Sequence, residues 1–241
     1  MALLEIAAVS KSFRGLRAVS DASLSVEQGA IVALIGPNGA GKTTLFNIAA
    51  GVYAPDTGQV RFGGNRIDGQ RPDQICARGI GRTFQLVKPF ANLSVLDNVI
   101  VGALLRERGV AQARRHANAI LDSLELGAKR DLPASSLTLP DRKRLEVARA
   151  LATRPQLLML DEVMAGLRPT ETDRMVEVFR ELNARDGLTI LLTEHVMRAV
   201  MALAQHIVVL HHGEVIARGA PGEVVRNAAV LECYLGEDTE V

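Results

Sequence analysis

Gly36-Pro37-Asn38-Gly39-Ala40-Gly41-Lys42-Thr43 satisfies the pattern GxxxxGK[ST] at every defined position. Residues of these types in this order can cradle phosphate. The glycines permit a tight loop whose successive N–H groups face one anion, and a following helix adds its positive end. Lys42 then supplies a point charge to the terminal phosphates, Thr43 offers a hydroxyl to magnesium, and Thr44 joins the same binding surface. Such a loop needs a carboxylate to hold the metal and a group to orient water. Leu157-Leu158-Met159-Leu160-Asp161-Glu162 offers both at the end of one apolar run. Asp161 is placed on the metal, and Glu162 as the general base for an attacking water, a role worth about 100- to 10,000-fold in rate.

The surrounding pattern must position these groups. Ile31-Val32-Ala33-Leu34-Ile35 is continuously apolar, which suits a strand covered on both faces, and it runs straight into the Gly-rich loop and a helix. Residues 3–9, 19–26 and 30–35 read as strands, with Glu27-Gln28-Gly29 as a hairpin turn between the last two. Residues 54–69 read as loops around a short strand at 59–62. From about 86 to 153 the pattern turns helical, starting at Ser94-Val95-Leu96-Asp97-Asn98-Val99, broken at Gly109 and resumed over 111–126. Strands at 157–160 and 188–193 flank a helix at 170–186, and 207–210 with 214–217 form a hairpin around His212-Gly213. Alternating strands and helices imply a parallel sheet.

Composition narrows the partners. Lys and Arg total 28 against 27 Asp and Glu, so no whole-chain charge favours nucleic acid, and six Phe, two Tyr and no Trp leave few platforms for stacked bases. Cys76 and Cys233 stand far apart with no CxxC, which argues against a disulfide framework and a structural zinc site. The amino-terminal residues lack the pattern of a signal peptide, and no run reaches about 18 apolar residues, so the expectation is a soluble protein of the cytosol.

With Thr83-Phe84-Gln85 ahead of the carboxylate pair and Thr193-Glu194-His195 behind it, the ordered motifs make the chain resemble the ATP-binding cassette family over essentially its whole length. The resemblance implies ATP and Mg2+ as ligands and an α/β P-loop NTPase (RecA-like) core over 1–85 and 154–241, carrying an antiparallel β part. Residues 86–153 would be an inserted α-helical subdomain within a single domain of 1–241. It also implies that Gln85 contacts magnesium and water, that His195 touches the γ-phosphate, and that Phe13 stacks on adenine. Where the family has LSGGQ, this chain has Leu137-Thr138-Leu139-Pro140-Asp141. In the family this segment caps the nucleotide held by a partner cassette. Thr138 keeps a hydroxyl, Leu139 adds a side chain where close approach was available, and Pro140 has no N–H to donate. Asp141 sets a negative group near an anion or serves as a helix N-cap. The site so completed is expected to be weaker, or to rely on Thr138, the helix dipole and Arg142. Val163 and Ala165-Gly166-Leu167 are smaller departures.

Gly81-Arg82-Thr83-Phe84-Gln85, Asn92 to Val99 and the tail Glu232-Cys233-Tyr234-Leu235-Gly236 are similar to the branched-chain amino-acid importer type. That type implies membrane permease subunits, a second cassette chain in a favoured heterodimer, an external solute-binding protein, no nucleic acid, and a peripheral place on the inner face of the membrane. The alternatives are a homodimeric exporter ATPase of lipopolysaccharide-export type and a non-transport, ATP-dependent regulatory module. Residues 88–96 are expected to grip a permease helix through Phe90 and Leu93, or else to carry these two as core residues of the helical lobe.

Overall fold

The computed structural model describes residues 2–85 and 88–235. Leu86 and Val87, where the helical insert was expected to begin, and Gly236 of the tail motif lie outside them. Strands β1 (Ala2–Phe13) and β2 (Leu16–Glu27) form a long antiparallel hairpin, extended on the β1 side by β4 (Thr57–Phe62) and β5 (Asn65–Arg66). A second sheet has the order β10-β9-β3-β8-β7-β6, made of β3 (Ile31–Ile35), β6 (Ile80–Arg82), β7 (Leu157–Asp161), β8 (Thr189–Thr193), β9 (His206–His211) and β10 (Glu214–Gly219). It is parallel from β9 to β6, and β10 closes it antiparallel.

The hairpin expected at Glu27-Gln28-Gly29 does not form. A turn closed by Ala30 N–H on the Glu27 carbonyl (3.1 Å) carries the chain from one sheet to the other, and β3 pairs with β8 and β9. The reason lies in the strand itself. All five residues of β3 are buried, a demand for cover on both faces that a central parallel position meets.

Period-two alternation then sorts the core. From β3, Ile31, Ala33 and Ile35 enter one apolar cluster and Val32 and Leu34 the other, and β7, β8 and β9 divide in the same way. The second cluster lies against the antiparallel sheet and helix α1 (Lys42–Ala49). The first receives α3 (Val95–Ala103), α4 (Val110–Ser123) and α5 (Leu139–Ala152), and also α6 (Pro169–Asp186) and α7 (Met197–Leu203). Short helices α2 (Pro72–Arg78), α8 (Pro221–Val224) and α9 (Ala228–Leu235) complete the chain.

Helix α3 starts at the Ser94 N-cap, whose hydroxyl accepts from Asp97 N–H at 3.0 Å, and Gly109 is the N-cap of α4. Helical structure does not extend back to 88. Residues 88–93 are irregular and are tied down by buried Asn98, which accepts from Phe90 N–H (2.9 Å) and donates to the carbonyls of Phe90 and Ser94 (3.1 and 2.9 Å). None of the described helices is long and apolar enough to cross a membrane.

Candidate functional site

The Gly-rich loop joins β3 to α1 at the carboxyl end of the parallel sheet. Two glycines are fixed by geometry. A Cβ at Gly36 (φ 148°) would stand 2.0 Å from the Leu210 carbonyl oxygen, and one at Gly41 (φ 99°) would stand 2.3 Å from that of Ala18. The loop is therefore clamped between β9 and β2. The β9–β10 turn adds a further tie, Gly213 N–H to the Ala40 carbonyl at 2.9 Å. Buried Lys42 folds back so that Nζ donates to the carbonyls of Gly36 (2.5 Å) and Pro37 (2.7 Å).

Beside the loop lies a cavity of about 370 Å³ lined by Asn38, Gly39, Ala40, Gly41, Lys42, Thr43 and Thr44, with Gln85, Glu162 and His195 opposite. The residues expected to bind phosphate and those expected to orient water thus share one space. Gly36 and Pro37 form the loop's support, not the cavity wall. Leu16, Arg17, Ala18 and His212 line the remainder. Phe13 is not among the lining residues. Its ring packs edge-on against Tyr53 at 5.1 Å, with Lys11 Nζ 5.7 Å from its centre.

Glu162 follows β7 with φ 50°, in the left-handed region, a strain of about 1 kcal/mol for a residue with a Cβ. Its N–H donates to the Thr193 carbonyl at 3.0 Å, which fixes the backbone in that state. Both carboxylate oxygens are held: Oε2 accepts from Gln85 Nε2 (2.8 Å), and Oε1 lies 2.7 Å from His195 Nε2. Asp161, only 3% exposed, accepts from Thr193 Oγ1 on Oδ1 (2.9 Å) and from Arg82 on Oδ2 (2.9 Å), while its N–H donates to Thr83 Oγ1 (3.0 Å). Thr43, Gln85 and Asp161 line an adjoining cavity of about 430 Å³.

Behind these groups the sequence reading missed a buried set of charges. Lys143 of α5 donates to the Glu162 carbonyl oxygen at 2.9 Å, and burial pushes its pKa down against the pull of Glu194, Glu162, Asp161 and Glu146. Glu194, 2% exposed, accepts from Met164 N–H at 2.8 Å, and burial pushes its carboxyl up to about 7. Burial likewise raises Glu146, although Arg149 is bonded to it at 2.9 Å. A signal for Glu194 was present, a carboxylate between a strand with an apolar centre and the histidine. Lys143 sat in a run of charges that reads as solvated surface.

The segment in place of LSGGQ differs from expectation at Asp141. It is neither an N-cap nor a group facing outward: Thr138 is the N-cap residue of α5, and Asp141, three residues on, is buried. Asp141 Oδ2 accepts from Lys129 Nζ (2.5 Å) and from Thr138 Oγ1 (2.7 Å). Burial opposes its ionisation, yet these bonds outweigh the penalty and hold its pKa below the usual carboxylate range. Lys129 is what turns the acid inward. The Thr138 hydroxyl is consequently engaged within its own chain, and the Arg142 guanidinium donates to the Ser135 carbonyl at 3.0 Å. Leu139 is 48% exposed, and a Cβ at Gly166 would meet its Cδ2 at 3.3 Å. Thr138 does not line the cavity of Lys42 and Glu162.

Residues 19–165 match the family described as "ABC transporter", and residues 214–240 match "Branched-chain amino acid ATP-binding cassette transporter". The chain is 37% identical, over 98% of both proteins, to the high-affinity branched-chain amino acid transport ATP-binding protein BraF of Pseudomonas aeruginosa. It is 36% identical, over 99% of both, to the lipopolysaccharide export system ATP-binding protein LptB of Escherichia coli strain K12. Its fold superposes on a crystal structure of the ADP conformation of an ATP-binding cassette of an ABC transporter with a TM-score of 0.89 and 30% identity, covering 98% of this chain and 99% of the other. The phosphate loop, the carboxylate pair and these similarities together make this chain a member of the ABC transporter family, an ATP-binding cassette of the branched-chain amino-acid type.

Proposed function

We propose that this chain is the ATP-binding and ATP-hydrolysing subunit of an ABC transporter that imports branched-chain amino acids or related small polar solutes. One observation carries the chemistry: Gln85 and His195 hold the two oxygens of Glu162 in the same cavity as Lys42 and Thr43. Glu162 is the base for water, Gln85 and His195 orient it, and the N–H groups of 38–44 with Lys42 receive the phosphates. Thr43, Gln85 and Asp161 would hold Mg2+. A hydroxyl, an amide and a carboxylate are hard oxygen donors of the kind magnesium takes. When bound, magnesium supplies positive charge to the phosphate oxygens.

Nucleotide binding drives transport only if it favours a closed pair of cassettes over an open one. A segment 137–141 with a proline for an N–H donor and a committed Thr138 hydroxyl is a poor cap for a partner's nucleotide. Two copies would weaken both composite sites equally, so the partner is a second, different cassette chain. Permease subunits anchor the pair on the inner face of the membrane, and a solute-binding protein delivers the cargo. The exposed side chains of Phe90 (47%) and Leu93 (39%) support their place in the permease groove and dispose of the core alternative. The 36% identity to LptB keeps one other reading, a homodimeric exporter ATPase. The purified chain, alone and mixed with a second cassette and permeases of amino-acid or lipid type, tests both. Amino-acid-stimulated ATP hydrolysis in the heteromeric complex supports the importer, and full activity of the homodimer with lipid-export permeases overturns it.

A further inference from the structure

Arg82 closes β6, three residues before Gln85, and its guanidinium is almost fully enclosed. One end donates to Asp161 Oδ2 at 2.9 Å and the other to Asn47 Oδ1 of α1 at 2.6 Å. Its Cζ lies over two rings, 5.6 Å from the centre of Phe46 and 5.5 Å from that of Phe84. Nε is buried with no hydrogen-bond partner among the described residues. A planar cation bonded at both ends and set against two aromatic rings is built for that place. Among the described residues Asp161 is the carboxylate ion-paired with it, so each charge offsets the desolvation of the other.

Asp161 is also the carboxylate to which the proposed function gives the divalent cation, so two cations have claims on one group. We infer that Arg82 is the resident counterion of Asp161, a positioning residue that keeps this carboxylate neutralised in the metal-free chain and must yield or share Oδ2 when a divalent cation is bound. The inference rests on the reading of Asp161 as the cation's residue. It assigns to Arg82 the tuning of cation affinity: the guanidinium lowers the affinity of the nucleotide-free chain for metal, so that the cation is retained only together with phosphates.

The test follows thermal unfolding of the full chain without nucleotide, with Mn2+ alone as the probe. Wild type is expected to be indifferent to Mn2+ at low millimolar concentration. Arg82→Gln is expected to unfold at lower temperature, to recover as Mn2+ is added, and to bind the ion at least about tenfold more tightly than wild type. Arg82→Lys, which keeps the charge and loses the fork reaching Asn47, falls between them. The double variant Arg82→Gln, Asp161→Asn gives no response to Mn2+. Equal Mn2+ affinity in wild type and Arg82→Gln, or a response that persists in the double variant, overturns the inference. If Arg82→Gln fails to fold at every Mn2+ concentration, Arg82→Lys decides, and an affinity equal to wild type overturns it. Asp161→Asn with Mg2+ and ATP separates the two levels. Intact Mg2+-dependent nucleotide binding in that variant overturns the assignment of Asp161, whereas its loss beside unchanged Mn2+ affinity in Arg82→Gln overturns only the role of Arg82.

Discussion

His195 Nε2 lies 2.7 Å from Oε1 of Glu162, while Gln85 holds the other oxygen of the same carboxylate. One carboxylate with two restraints predicts a specific pattern of losses. Glu162→Gln should lower steady-state ATP turnover by about 100- to 10,000-fold with nucleotide affinity changed little. Gln85→Ala and His195→Ala should each lower turnover less, and the double variant should lose less than the product of the two, since both act on one group. Turnover and equilibrium nucleotide binding measured in parallel check this. A matching loss of affinity in Glu162→Gln would show that the residue holds nucleotide and not water.

The altered signature gives a prediction in two parts. Replacing Leu139 and Pro140 by glycine restores close approach and one N–H donor, so ATP hydrolysis by the intact complex should rise. Asp141 is different, because it is a structural acid. Asp141→Asn should destabilise the fold by about 1 kcal/mol, a figure discounted for the water that reaches the half-exposed Lys129. Its lowered pKa means that the stabilisation is complete above the ordinary value of about 4 and is lost as pH falls through the lower folded value. Acid denaturation of wild type and variant should therefore converge at low pH, and curves that stay parallel would refute the assignment.

Glu194 reverses that sign. With its pKa raised from the ordinary glutamate value to about 7, the folded chain retains a proton that the unfolded chain has released. Stability from this group is full below the unfolded pKa and declines as pH rises through about 7, by on the order of 1 to 3 kcal/mol. Glu194→Gln should flatten the dependence between pH 5 and pH 8 in denaturant unfolding. An identical slope in the variant would show that the group titrates normally.

Phe90 sits under the guanidinium of Arg149 at 5.1 Å, and both Phe90 and Leu93 are exposed at the surface. Phe90→Ala and Leu93→Ala should uncouple transport from ATP hydrolysis while nucleotide binding stays as it was. Nucleotide titrations beside transport assays in vesicles decide the matter, and lost nucleotide affinity would overturn the docking role.

The sequence carries most of the strand and helix pattern because β3 and β7 are apolar at nearly every position, β8 is apolar at its centre, and Ser94 and Gly109 punctuate the helices. It does not carry partner choice. The turn at 27–29 has the composition of a hairpin, and only the competition of β8 and β9 for β3 makes it a passage between sheets. Three-residue β6 is too short to show a period, and seven-residue α2 spans barely two turns. At the site, Lys42, Thr43 and Glu162 are legible because their chemistry has a fixed spacing. Arg82 and Lys143 become visible only when residues 79 and 19 apart in sequence are brought together by the sheet and α5.

Helices α3, α4 and α5 bury their apolar faces in the same interior as the alternate residues of β3, β7 and β8. A close-packed interior has low compressibility and few empty places to give way. In the proposed complex, a load that a permease applied at exposed Phe90 would therefore be passed to the strands beneath the phosphate loop as shear between interlocked side chains. Loosening that interior with a large-to-small substitution such as Val99→Ala would make the lever compliant, and force would be dissipated before it reached the nucleotide.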